Sequence, residues 1–473
     1  MKKTAIFLSL AMLACSVSCS ENKTELSVAP DSSSQSSQSS QSSQSTSDGE
    51  KTHITIALAE SYDTWVGWQH AWEEIEKLNA GDGPYYVEVI HYEFDEDDHY
   101  GDSSVSRLSM DILAGKAPDV ISASPFQLDK FRRNGYLTDL YPLMDSDVGM
   151  NREDFLDSVI DSVDIDGEIN VIYPAFTVHT AAAKTELVGA DSENWTIQQA
   201  IDAYNSFGGD FLAENYTKYD IRHYFFNGVM MDSIDCRAHT CDLNNALVPV
   251  LDFLIGLPPM EKRFGDPDIG QIHNNTALVK QLEIKGINYF YASSVLMNFQ
   301  NEPMTFVGYP TNNGRGTYTD VTGGFAIMTN SRHKKEAWGA ISRLFFGSTF
   351  QSDISRHAYG IPVKKSTVKE LLELEGAEVT SQSDDGSGKQ SRDMSSINSA
   401  VELPDGTELK LSPEQKEQLE DFLNDLEIDP FVNRNMEQII KEESDYVFEG
   451  ERSVEQCVDI LQNRIGLYLS ETQ

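Results

Sequence analysis

The sequence predicts an α/β fold of mainly parallel sheets flanked by helices, on three observations. Short strand-forming runs alternate with helical stripes in the order strand, helix, strand, helix, strand, the pattern of a parallel sheet covered by helices. The chain has 473 residues, 40% of them hydrophobic, enough for two or three domains with well-formed cores. Beyond the amino-terminal segment, no stretch has the apolar length of a transmembrane helix.

The elements follow in order. Lys2 and Lys3 precede an apolar run at residues 5–14, too short to span a bilayer and suited to a secretory leader. Met12-Leu13-Ala14-Cys15 and Ser16-Val17-Ser18-Cys19 each resemble a bacterial lipoprotein processing site, where a cysteine becomes the lipidated first residue. Cys19 is the favoured anchor and Cys15 the alternative, which makes residues 1–19 a signal peptide. Residues 20–51 form a tether whose Ser-Ser-Gln repeats at 32–47 have no apolar surface to bury and stay hydrated and disordered. Ile54, Ile56 and Leu58 alternate with Thr55, Ala57 and Ala59 as a strand does. Trp68, Trp72 and Ile75 recur at helical spacing, so both tryptophans read as core. Residues 85–92 are rich in strand formers; Val105, Leu108, Ile112 and Leu113 make a helical stripe that Gly115 stops. Asp119-Val120-Ile121 begins the third strand.

Charge and cysteines narrow the function. With 36 Lys and Arg against 76 Asp and Glu, the net charge of −40 repels phosphate backbones and anionic lipid headgroups, so nucleic acid is a poor partner. Asp95-Glu96-Asp97-Asp98-His99 has Tyr100 where a calcium loop needs its turn glycine, and no metal site is expected. Cys236 and Cys241 are a disulfide or a thiol pair, since His239 alone cannot complete a zinc site. Cys457 shares a helical face with Val454, Val458, Leu461 and Ile465 and reads as a core thiol. Gly386-Ser387-Gly388-Lys389 lacks the hydroxyl residue, the earlier glycine and the preceding strand of a phosphate loop. Neither a His-Glu-x-x-His zinc motif nor a Gly-x-Ser-x-Gly nucleophile elbow occurs, so neither enzyme activity nor a cofactor is expected.

Leu113-Ala114-Gly115-Lys116-Ala117-Pro118-Asp119-Val120 and Gly135-Tyr136-Leu137-Thr138-Asp139-Leu140 resemble a signature of extracellular solute-binding proteins of ABC importers, in the carbohydrate-type family that includes maltose-binding protein. The resemblance continues in order. Asp166-Gly167-Glu168-Ile169 leading to Tyr173-Pro174 is similar to the family's hairpin and first interdomain crossing. Phe306-Val307-Gly308-Tyr309-Pro310-Thr311 and then Gly323-Gly324-Phe325-Ala326-Ile327 resemble its strand, loop and second crossing. Lys335-Glu336-Ala337-Trp338 resembles the next helix and Gly360-Ile361-Pro362-Val363 the third crossing. Ile440-Lys441-Glu442-Glu443, Phe448-Glu449-Gly450 and Gln462-Asn463-Arg464-Ile465 through Tyr468-Leu469 resemble a Gram-positive-type branch.

This resemblance implies two lobes, 52–174 plus 323–360 and 175–322 plus 361–473, joined by three crossing segments, with a polar insertion at about 375–406. It implies a cleft site, which is where open α/β sheets place ligands. A sugar there wants flat aromatic faces and planar polar groups. The mapping offers Tyr62, Asp63 and Trp65 after the first strand, Ser124 and Phe126 after the third, Phe176 and Thr177 past the first crossing, and Tyr309, Asn312 and Arg315 around the loop before the second. Trp65 and Tyr309 are expected to supply aromatic faces from opposite lobes; the competing reading packs each aromatic in a lobe core or hinge. The expected function is capture of a sugar, in particular an oligosaccharide, by a monomer lipid-anchored on the outer face of a bacterial cytoplasmic membrane, and delivery to permease subunits. Alternatives are the same fold carrying a peptide, polyamine or other polar solute, a secreted glycoside hydrolase, and a tethered adhesin.

Overall fold

The computed structural model describes residues 51–59, 68, 71–95, 102–147, 150–213, 218–236, 238–257, 270–321, 323–356, 359–373, 377–378, 408–409, 411–428 and 434–471. The leader, both candidate lipidation cysteines, the tether apart from Lys51, Tyr62, Asp63, Trp65 and almost all of the polar insertion lie outside the described residues.

The strands in chain order are β1 (Thr52–Ala59), β2 (Tyr85–Tyr92), β3 (Val120–Ala123), β4 (Asp164–Ile165), β5 (Glu168–Ile169), β6 (Ala175–Lys184), β7 (Asp210–Leu212), β8 (Ile234–Asp235), β9 (Thr240–Cys241), β10 (Ala277–Ile284), β11 (Met304–Phe306), β12 (Tyr318–Val321), β13 (Gly324–Ile327) and β14 (Ile361–Pro362). The helices used below are α1 (Ala71–Ala80), α2 (Asp102–Leu113), α3 (Pro125–Arg133), α4 (Ile197–Ser206), α5 (Lys218–Ser233), α6 (Asn244–Ile255), α7 (Lys334–Phe345), α8 (Pro413–Asn424), α9 (Arg434–Phe448) and α10 (Val454–Glu471).

The first sheet has the order β13-β3-β1-β2. β1 pairs in parallel with β2 from Thr52↔Tyr85 to Ala59↔Tyr92 and with β3 through Ile56↔Val120, while β13 joins β3 antiparallel. Although β1 alternates in residue type, Ile56 to Ala59 are all buried, because helices cover both faces of a central parallel strand. Asp119 ties β3 to β1: its carboxylate accepts from the Thr55 N–H and hydroxyl, both at 3.0 Å, and its N–H donates to Thr55 Oγ1 at 2.9 Å. Trp68 is 2% exposed, with its indole N–H donated to Ser122 Oγ at 3.2 Å and its ring 4.9 Å from that of Phe345 on α7. Trp72 is half-buried and stacks on His91. On α2, Val105 and Leu108 are buried, but Leu113 is 78% exposed. It belongs to the last turn, rotated away from the sheet just before Gly115 leaves the helix with φ +78°.

β4 and β5 form the expected hairpin, with Asp166 and Gly167 both at positive φ in the turn, the geometry that matches strand twist. The second sheet runs β11-β6-β10-β7, with β12 and β14 also pairing β6. Here the expectation of a mainly parallel sheet is corrected: β10, β11, β12 and β14 all pair β6 antiparallel, and only β10 with β7 is parallel. β6 carries the chain away from the first crossing, whereas β12 brings it back to the second, so the two must run in opposite directions. Around this sheet α4, α5, α6, α9 and α10 bury a second core that includes Cys457 at 0% exposure beside Val458, Leu461 and Ile465. Cys236 and Cys241 are thiols rather than a disulfide. β8–β9 pairing sets Cys241 opposite Ile234, with Cys236 beyond the strand end, so the two are not cross-strand partners. Among the described residues, no helix is long and apolar enough to cross a membrane, and no group of three or more His, Cys, Asp or Glu could hold a metal ion.

Candidate functional site

Val178 and His179 of β6 lie between β10 and β12, so His179 has Glu283 on one side and Tyr318 on the other, and Thr177 lies opposite Asp320. Cross-strand neighbours on one face are close enough for rings to meet. The His179 and Tyr318 rings stack at 4.5 Å with 4° between planes, and His179 Nε2 is 2.9 Å from Asp320 Oδ2. α5 and α9 wall this face, with His223 Nδ1 of α5 2.9 Å from Glu437 Oε1 of α9.

Two cavities open beside this ring pair. One, about 310 Å³, is lined by His179, Gln281, Glu283, Tyr309, Asp320 and Glu437 among others. The other, about 460 Å³, is lined by Asn194, Asn227, Met231, Arg315, Phe422 and Glu427 among others. Met230 and Tyr318 line both, so the two spaces share a wall. Asn227 is 1% exposed, and its carbonyl oxygen has no hydrogen-bond partner among the described residues, an expensive arrangement for a buried acceptor.

Of the residues named from sequence, Tyr309 and Arg315 line these cavities. Tyr309 is only 4% exposed, its ring 5.6 Å from that of Tyr224 and 5.5 Å from that of Tyr318. Burial pushes its phenol well above the ordinary range, with a hydrogen bond from Asn227 working the other way. Arg315 is exposed and ion-paired with Glu427, and its N–H donates to Thr311 Oγ1 at 2.9 Å. Asn312 is exposed, with its backbone N–H on the Asp232 carboxylate, and does not line either cavity. Thr177 is half-buried opposite Asp320. Phe176 is placed in the hinge core rather than on a surface, 1% exposed between Val321 of β12 and Ile361 of β14. Ser124 precedes α3 as its N-cap, at the end of the first sheet. Phe126 falls within α3, and its side chain is outside what the structure describes.

Sequence reasoning missed His179, Asn227, Gln281, Tyr318, Asp320 and Glu437. The available signal was the run Thr317-Tyr318-Thr319-Asp320-Val321, whose β-formers mark a strand with Tyr318 and Asp320 on one face.

No family model matches the sequence, and no curated protein matches it. Solved structures do match in three dimensions. The sugar-binding protein MalE of Xanthomonas citri has a TM-score of 0.53 at 14% identity, over 89% of this chain and 98% of that one. An extracellular solute-binding protein family 1 member from Alicyclobacillus acidocaldarius has 0.51 at 15%, over 89% and 98%. The cyclic alpha-maltosyl-1,6-maltose binding protein of Arthrobacter globiformis has 0.51 at 13%, over 89% and 100%. The matched structures are mostly binding proteins, with a designed cysteine esterase among them. The chain therefore has the two-lobe α/β fold of these proteins.

Proposed function

We propose, with the solute-binding-protein fold as premise, that this chain captures an oligosaccharide on the face formed by β6, β10 and β12 and delivers it unchanged to an ABC transporter permease. The observation that carries the reading is the Tyr318–His179 ring pair, set between two cavities whose walls also hold Asn227, Gln281, Asp320 and Glu437. An aromatic face suits the apolar side of a sugar ring, and amides and carboxylates suit hydroxyls in defined directions. Two spaces sharing a wall, each within the usual range of about 300–1,000 Å³ for small-molecule sites, favour more than one sugar ring. The matched proteins' names support the same substrate class.

In this reading the first lobe closes over the bound sugar and the permease recognises the closed shape, with no bond made or broken by this chain. Lipidation at Cys19, with residues 20–51 as a leash, holds it on the outer face of the cytoplasmic membrane of a Gram-positive-type cell, as a monomer.

A stability screen tests the proposal. The matching oligosaccharide should raise unfolding free energy by about 2.7 kcal/mol at one hundred times its dissociation constant, whereas peptides and polyamines should not. Stabilisation by a polyamine or peptide and by none of the sugars would overturn the substrate class.

A further inference from the structure

Asn227 stands between the two cavities, and only half of its side-chain amide is engaged. It projects from α5, one turn after His223 and one turn before Met231 on the same helix face. Its amide nitrogen lies 3.4 Å from His223 Nε2 and also bonds the Tyr309 hydroxyl. His223 and Tyr309 belong to the wall of the smaller cavity, whereas Asn227 belongs to that of the larger. The nitrogen therefore faces the first space and Oδ1 the second. Oδ1 is buried, on a residue 1% exposed, and has no partner among the described residues. A buried carbonyl in that state costs free energy in the empty protein, which a ligand donor would recover.

We infer that Asn227 is a specificity-determining residue: its carbonyl oxygen is a fixed acceptor in the larger cavity, so the oligosaccharide that binds is one that buries a hydroxyl proton there. The inference rests on the sugar-capture reading for the class of cargo and adds which residue selects within that class.

The orientation of the amide follows from its partners. His223 Nδ1 is 2.9 Å from Glu437 Oε1, and an ionised carboxylate only accepts, so Nδ1 carries the proton and the neutral ring offers Nε2 as an acceptor. Asn227 must then present an N–H to it. Its second N–H goes to the Tyr309 oxygen, which fits the hydrogen bond that opposes burial on that phenol. Turning the amide over would set its oxygen against His223 Nε2, acceptor against acceptor. The backbone is equally held. Gly228 packs so tightly on the Pro310 carbonyl that a Cβ would lie 1.8 Å from its oxygen, and Tyr224, one turn before, donates to the Gly308 carbonyl at 2.8 Å. An acceptor placed this rigidly gains from a matching donor without an ordering cost, and gains nothing from a group that cannot donate.

Calorimetric titration of the full chain with maltotriose, cellotriose, xylotriose and mannotriose tests this, followed by the monodeoxyfluoro analogues of whichever binds most tightly. Fluorine is close to a hydroxyl in size but cannot donate. In the natural chain one fluorinated position should weaken binding at least about tenfold. In Asn227→Leu and Asn227→Ala the parent sugar should itself bind about tenfold more weakly, and the penalty at that position should shrink to within about twofold. Urea melts should leave the Asn227→Leu midpoint at or above that of the natural chain, because the unpartnered carbonyl is gone. A lowered midpoint with unchanged sugar affinity would mark a structural amide and overturn the inference. So would a penalty equal in the natural chain and both variants, no position that weakens binding tenfold, or heat from none of the four sugars. The capture reading falls only with its own stability screen, so the two failures are told apart.

Discussion

Gly228→Ala sets two effects of opposite sign against each other. Gly228 sits in the middle of α5, where Ala is intrinsically better by about 1 kcal/mol. A Cβ there would lie 1.8 Å from the Pro310 carbonyl oxygen and 2.6 Å from its carbon, about 1.6 Å inside ordinary contact with backbone that cannot swing aside. Forced overpacking of this kind costs about 1–3 kcal/mol or more. The same displacement strains the buried bond from the Tyr224 hydroxyl to the Gly308 carbonyl, 2.8 Å, worth about 1 kcal/mol. The clash wins, for a net loss of about 1–3 kcal/mol. Because Asn227 and Met230 flank the site and line the cavities, sugar affinity should fall as well. Urea unfolding followed by circular dichroism reads the first effect as a lower midpoint at unchanged slope. A midpoint equal to or above that of the natural chain would refute the close helix-to-loop packing on which the site rests.

Tyr318→Ala should lower sugar affinity at least about tenfold, near 1.4 kcal/mol, with a modest stability loss, whereas Tyr309→Ala should cost about 3–5 kcal/mol of stability because that ring is nearly fully buried; titration beside urea melts of both variants separates the two. Burial and the hydrogen bonds to Asp111 and Asp164 push the Tyr92 and Tyr141 hydroxyls up to about 12. The unfolded chain loses these protons near pH 10 and the folded chain only near 12, so stability is present below pH 10 and falls as pH rises towards 12; Tyr92→Phe with Tyr141→Phe should flatten that fall in alkaline urea melts. Cys19→Ala should abolish lipidation and Cys15→Ala should not, read by intact mass of membrane-extracted protein, with a mature chain starting at Cys15 counting against the assignment.

The parallel part of the first sheet was legible because its signals are local: β1 and β2 are runs of strand formers, and β3 follows the helix that Gly115 stops. The β4–β5 hairpin at Asp166-Gly167 was expected from the family resemblance and is present. The direction of pairing in the second sheet was not legible, since β12 meets β6 only far along the chain and β14 only after the chain has visited the first sheet through β13 and returned, and nothing in five or ten residues encodes that return. The site was read only in part for a related reason. Aromatics were sought in loops after strands, yet Tyr318 and His179 stand on strands and become a platform only through β6–β12 register. Phe176 and Tyr318 look alike as strand aromatics; the first faces the hinge core and the second a cavity, a distinction made by the neighbouring strands.

The central claim, capture without turnover, is tested most directly by isothermal titration of the full chain with the oligosaccharide that stabilises it most, followed by chromatography of the recovered sugar after prolonged incubation. One saturable site per chain, weakened in Tyr318→Ala, and a sugar recovered at its original length are expected. Enzyme-dependent appearance of shorter sugars, or the absence of saturable heat with every oligosaccharide tried, would contradict it.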